Sequence, residues 1–188
     1  PKLSSNKKMA CISCHLPEKG YADGVALNKD NKGNLLVRNT PTLINAAFQK
    51  SFFWDGRSRD LLDQISMVFN NEKEFNTDVH RFSDDILKDS TYIKLFKNAY
   101  NEVPKSNRVV IRAISSYVST LNGFNSKFDK NIRGEENTYS ESEKNGYNLF
   151  MGKALCATCH FIPLTNGTVP PFFTETEKEV IGVPETKM

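Results

Sequence analysis

Cys11-Ile12-Ser13-Cys14-His15 and Cys156-Ala157-Thr158-Cys159-His160 are two copies of one pattern, and together they use every cysteine in the chain. Two of the three histidines sit in them as well. CxxCH is the attachment signature of c-type haem. Thiols at this spacing reach the two vinyl groups of one porphyrin, and the adjoining imidazole comes beneath the ring to bind iron. A single CxxC also serves a redox disulfide or half a zinc site. Two copies brought together could close one four-cysteine zinc site. Neither alternative calls for His directly after the second Cys in both copies. Neither copy has the strand-then-helix setting of a thioredoxin-like motif. Two covalent haems are therefore the expectation, with Cys11, Cys14, His15 at one and Cys156, Cys159, His160 at the other. Such haems place the chain in the periplasm, or otherwise outside the cytoplasm, and no disulfide framework is on offer.

Outward from these motifs the chain reads as helical. Residues 141–155 form an amphipathic pattern running into the second CxxCH, with Tyr147, Leu149, Phe150 and Leu155 on the apolar side. Only residues 1–10 precede the first copy, so its leading helix is expected to lie upstream in a longer protein. Residues 16–37 are polar and read as a long functional loop. Asn39-Thr40-Pro41-Thr42 is expected to start a short helix. Ser58 or Asp60 caps a helix to about Phe69, and further helices are expected near 78–88, 90–101 and 105–122. Residues 131–140 make the best linker. The stretch from His160 to Met188 is too short for a whole cytochrome domain. The expected architecture is all-α: a first cytochrome c-like domain over 1–134 and the start of a second over 135–188.

The 188 residues are 38% hydrophobic and 25% charged, which suits a globular chain. No apolar run approaches the ~18 residues that span a bilayer. A net charge of +3 from 25 basic and 22 acidic residues gives no case for nucleic acid.

CxxCH, a polar loop, Arg38-Asn39-Thr40-Pro41-Thr42, the run FFWDGR at 52–57, Gln64, Glu74 and the second CxxCH follow in this order. The order resembles the bacterial dihaem cytochrome c peroxidases and their MauG-type relatives over nearly the whole chain. The resemblance implies an enzyme that reduces hydrogen peroxide to water. It implies a peroxidatic haem on His15 and an electron-transfer haem on His160. Trp54 matches the tryptophan between the haems. Phe53, Gln64 and Glu74 match the distal pocket of the peroxidatic haem, and Asn39 matches a contributor to a calcium site. Electrons are expected from a small donor such as a monohaem cytochrome c or a cupredoxin. Family members are often dimers, so a homodimer is entertained, though no residue here locates an interface.

Each assignment has a blander competitor. Trp54 reads equally as a core anchor. Glu72 is as available as Glu74 in NNEKEF. Gln64 reads as a helix-surface residue and Asn39 as a turn organiser. His80 is expected on a helix surface. The family's loop His, which closes the peroxidatic iron at rest, is missing from residues 16–37. Counted from Trp54, Asn31 stands in its place, so this haem is expected to be open without reductive activation. The sixth ligand of the second haem is expected beyond Met188. A MauG-type oxidase acting on a protein substrate and a purely electron-carrying dihaem cytochrome are the rival functions.

Overall fold

A computed structural model describes residues 1–78 and 86–166. His80, Met188 and most of the helix expected near 78–88 lie outside the described residues. The chain divides into two compact units, Pro1–Ser126 and Lys127–Met188. The described residues are helical, with isolated bridges at Leu16–Ala22, Lys29–Leu35 and Phe52–Ser58 in place of a sheet. Among them no helix is long and apolar enough to cross a membrane.

Among the described residues the first unit contains α1 (Leu61–Asn70), α2 (Ser90–Tyr100) and α3 (Asn107–Ser119). Asp60 caps α1 by accepting from the Asp63 N–H at 2.8 Å. Ser58 is instead fully buried, its hydroxyl donating to the Asp60 carbonyl at 2.9 Å. Asp89 caps α2 through the Thr91 N–H, and Asn101 ends it in the left-handed region. Leu61, Ile65 and Phe69 fall on one face of α1 at helical spacing. That face meets Val110 and Ile111 of α3, with Phe75, Ile86 and Phe96 completing the core. Each such side chain contributes about 1.5–3 kcal/mol on burial.

The segment at 39–43 is not a helix; the first helical turn there is a 3-10 turn at Ala46–Phe48. Its side chains are committed elsewhere. Thr40 donates to Asp23, Thr42 to the Gly20 carbonyl and Asn39 to the Val25 carbonyl. Pro41 also pushes Thr40 toward extended backbone. Local side-chain bonds thus outcompete helix formation.

The second unit holds α4 (Lys127–Ile132) and α5 (Glu141–Met151). Ser140 and Glu143 form a reciprocal capping box at the start of α5. Lys127 pairs with Glu143 at 2.7 Å, and Phe128 meets Tyr147 at 6.2 Å between ring centroids. These contacts tie α4 to α5 within the second unit. α5 stops at Met151, short of the expected Leu155. Gly152 turns the chain with φ −112° and ψ −105°, and a Cβ there would lie 2.9 Å from the Asn148 carbonyl oxygen.

The capping box contains a titratable carboxylate and is expected to respond to pH. The Lys127 ammonium, followed by the Ser140 donors, holds the Glu143 carboxyl down to about 2. A depressed folded-state value adds stability above the ordinary carboxylate pKa and loses it as pH falls toward 2. Glu143→Gln is expected to remove this acid-sensitive step. Helical circular dichroism followed from pH 5 downward checks it, and an identical titration in the variant contradicts it.

Candidate active site

The two CxxCH copies adopt the same backbone. In each, a 3-10 turn begins at the first Cys. The His N–H donates to that Cys carbonyl at 2.9 Å and the second Cys N–H to the same carbonyl at 3.2 Å. The imidazoles are aimed alike. His15 Nδ1 lies 2.9 Å from the Tyr21 carbonyl, and His160 Nδ1 lies 2.7 Å from the Thr165 carbonyl. A carbonyl only accepts, so each Nδ1 carries the proton; the His15 ring also interacts with the Pro41 carbonyl. This is how a protein prepares an imidazole for a metal. Burial lowers the His15 pKa and favours the neutral ring that ligation requires.

Beside His15 the first unit has a cleft, open to solvent on one side, with a volume of about 770 Å³. Its wall is mainly apolar, from α1, α2 and α3. Cys11, Cys14 and His15 lie on it, and Gln64 and Glu74 are among its few polar side chains. Thiols, an iron-ready imidazole and a large apolar wall fit a covalently attached haem. The second unit has a smaller cavity, about 320 Å³, lined by Phe128, Tyr147 and Phe150 among others. The Phe150 ring lies 6.4 Å from that of His160.

Glu74, and not Glu72, faces the first cavity. Its Oε1 accepts from Asn71 Nδ2 at 2.7 Å. Burial raises its pKa, partly offset by the Asn71 amide and the Arg57 cation. Burial also pushes the Cys14 thiol up to about 11, with the Glu74 and Asp23 carboxylates adding to it. Glu74 thus acts electrically on the same space as the CxxCH motif. Gln64 stands on α1, one turn before Val68, and lines this cavity rather than a free surface.

Phe53 and Trp54 do not line the cavity. Trp54 is 65% exposed, which removes the core-anchor reading. Its Nε1 donates to the Asn39 carbonyl at 2.8 Å. Asp55 accepts from Arg38 at 2.6 Å and from Arg57 at 2.9 and 3.0 Å. The Arg38 guanidinium, aided by Arg57, holds the Asp55 carboxyl far below its ordinary pKa. The runs at 38–42 and 52–57 are therefore one unit, fastened by an indole bond and an ion pair. Phe53 takes φ +63° and lies beneath the Arg57 guanidinium, 3.5 Å from its ring centroid. Asn39 donates its amide to the Val25 carbonyl at 2.6 Å, which leaves its side-chain oxygen as acceptor.

Asp23 was not foreseen, and Asn31, singled out in sequence, has an unforeseen set of partners. Asp23 is 3% exposed and accepts from Thr40 at 2.6 Å, Asn28 at 3.0 Å and the Val25 N–H at 3.1 Å. Burial alone would raise its pKa, but these bonds outweigh burial and hold the carboxyl below its ordinary value. Asn31 does not reach the cavity; its amide donates to the Glu72 and Glu74 carbonyls, both at 2.8 Å. The Asp-Gly pair at 23–24 hinted at a turn, but nothing in sequence marked the carboxylate as buried.

Two matched CxxCH turns on an all-helical scaffold, each presenting an oriented imidazole, define a c-type cytochrome architecture. Residues 1–137 match the family model described as di-haem cytochrome c peroxidase. The chain belongs to this family of di-haem cytochrome c peroxidases and MauG, whose cofactors are two c-type haems. Cytochrome-c peroxidase IdrP1 of Pseudomonas sp. (strain SCT) is 33% identical over 88% of this chain and 44% of its own length. Methylamine utilization protein MauG of Methylophilus methylotrophus is 31% identical over 85% of this chain and 48% of its own. A solved MauG-like protein associated with microbial copper homeostasis superposes with a TM-score of 0.83 at 26% identity, covering 95% of this chain and 53% of that one. The chain spans about half the length of the curated relatives it matches.

Proposed function

We propose that this chain carries the peroxidatic half of a periplasmic dihaem peroxidase, which reduces hydrogen peroxide to water with electrons from a small redox protein. The observation that carries the reading is Glu74, a half-buried carboxylate on the same large apolar cavity as the CxxCH thiols and an oriented His15. Cys11 and Cys14 would hold the first haem and His15 its iron; Cys156, Cys159 and His160 would hold the second. Bound there, haem would supply an iron centre for peroxide and the electrons needed for O–O cleavage. Glu74 takes the proton from the near oxygen of peroxide and gives it to the far one, which leaves as water. Gln64 donates a hydrogen bond that orients peroxide or the leaving water. Trp54, fastened to Asn39, supplies an exposed aromatic for electron passage, and the Asn39 oxygen is offered to calcium, which takes oxygen ligands. Peroxide consumption by haem-loaded full-length protein, with a reduced monohaem cytochrome c or cupredoxin as donor, tests this. Turnover supports it. No turnover, with oxidation of a protein substrate instead, favours the MauG-type oxidase, and two six-coordinate inert haems favour an electron carrier.

Asn31 bears on the resting state. Its amide is held by backbone carbonyls, and an amide is a poor ligand for haem iron. Electron paramagnetic resonance of the fully oxidised protein is expected to show a high-spin signal from the peroxidatic haem. A wholly low-spin spectrum contradicts this and brings His80, the remaining histidine, into contention as the sixth ligand.

A further inference from the structure

We infer that Asn31 is a positioning residue for peroxide turnover: it clamps three consecutive backbone carbonyls of the segment that carries Glu74. The inference rests on the reading of Glu74 as the proton-moving group.

One residue makes all three bonds. The Asn31 amide nitrogen donates to the Glu72 carbonyl at 2.8 Å and the Glu74 carbonyl at 2.8 Å. Its backbone N–H donates to the Lys73 carbonyl between them at 2.9 Å. The amide's orientation is fixed by chemistry, because only an NH2 can serve two carbonyl acceptors at once. Asn31 is itself presented by a tight turn. Asp30, 9% exposed, accepts from the Lys32 and Asn34 N–H groups, both at 2.8 Å.

The Glu74 segment has other anchors, among them the Ser5 N–H on the Phe75 carbonyl at 2.9 Å and the Asn71 amide on the Glu74 carboxylate at 2.7 Å, but none of them takes the carbonyls of residues 72–74. Asn71 organises it from within: its carbonyl accepts from the Glu74 and Asn76 N–H groups at 3.0 and 2.9 Å, and its side chain from the Lys73 N–H. Phe75 anchors the far end, 5% exposed and packed edge-on against Phe69 at 5.0 Å. Neither contact reaches the carbonyls of residues 72–74. Asn31 closes that outer side, so the Glu74 carboxylate stays over the cavity rather than swinging to solvent. A proton relay loses roughly a hundredfold in rate when misplaced by about 1 Å.

Lys29 of the 16–37 loop and His15 line the same cavity, and the groups whose charge acts on or with Glu74 are Arg57 from the 52–57 turn and Cys14 from the CxxCH motif. Asn31→Ala leaves both in place. It should let water reach Glu74, and less burial lowers a carboxyl pKa. The acid limb of kcat/KM for peroxide should therefore move to lower pH while its plateau falls roughly ten- to hundredfold. A merely structural residue would lower the plateau without moving the limb.

The test uses haem-loaded full-length protein, with Asn31→Ala and Asn31→Asp beside Glu74→Gln. Asp keeps the shape of Asn but faces two carbonyls with no donor, so it serves if the Ala variant fails to fold. Hydrogen exchange supplies a readout apart from turnover. The 71–76 amides should exchange faster in both Asn31 variants while the α3 amides remain protected. Unchanged exchange at 71–76 together with an unmoved acid limb overturns the inference. Wild-type turnover in Glu74→Gln sinks the acid–base reading instead, whatever the Asn31 variants do.

Discussion

Glu74→Gln is expected to lower peroxide turnover by roughly a hundred- to ten-thousandfold in haem-loaded full-length protein, the range for loss of one acid–base group. Gln keeps the size and polarity of Glu74 and the contact with Asn71, but cannot carry a proton back and forth. The pH profile sharpens the expectation. Burial raises the Glu74 pKa, with the Asn71 amide and the Arg57 cation offsetting part of the rise. Accepting a proton requires the carboxylate, so wild-type kcat/KM falls as pH drops through that raised value. In the Gln variant this limb should vanish along with most of the rate. Steady-state peroxide consumption across pH, for both proteins at equal haem content, is the check. A variant within threefold of wild type would leave Glu74 a bystander.

The second large effect is on stability. Phe69→Ala should destabilise the first unit by about 3–5 kcal/mol and lower its melting temperature by about 10–20 °C. Phe69 is 2% exposed, and it touches the core formed by α1 and α3. Its ring packs edge-on against Phe75 at 5.0 Å, and its carbonyl accepts from the Thr77 N–H at 2.8 Å. The lost ring thus opens the core and removes the support beneath the Glu74 segment. Phe69→Leu, which keeps most of the volume, should lose far less. A thermal unfolding series with all three proteins measures it. Equal midpoints for Ala and wild type would show that the core does not depend on this ring.

Much of the scaffold could be read from sequence because its signals are local. Asp60 and Ser140 sit one residue before their helices and accept the N–H groups that a helix start leaves open. The apolar spacing of Leu61, Ile65 and Phe69 marks the buried face of α1 directly. The end of α5 was less legible, since Gly152 breaks the helix inside a run that still looks amphipathic. The 39–43 segment failed for a different reason. Thr40 and Thr42 have partners about twenty residues away, and no local pattern announces such bonds.

The site divides in the same way. Two CxxCH turns are visible as spelling, and so are the runs at 38–42 and 52–57. What fastens those runs together, Arg38 with Asp55 and Trp54 with the Asn39 carbonyl, needed three dimensions. So did the choice between Glu72 and Glu74, which differ only in which side of one turn they leave. Asn31 stood out in sequence for the ligand it fails to be. Its bonds to residues 72–74 cross some forty positions of chain, and spacing alone has no access to them.

Mass spectrometry of the denatured full-length chain, matured in a haem-attaching host, bears most directly on the central claim that both CxxCH motifs carry covalent haem. The intact protein should weigh two haems more than its polypeptide. One haem should be lost with Cys11→Ala/Cys14→Ala, and the other with Cys156→Ala/Cys159→Ala. A chain that stays at its bare polypeptide mass under these conditions would contradict the account.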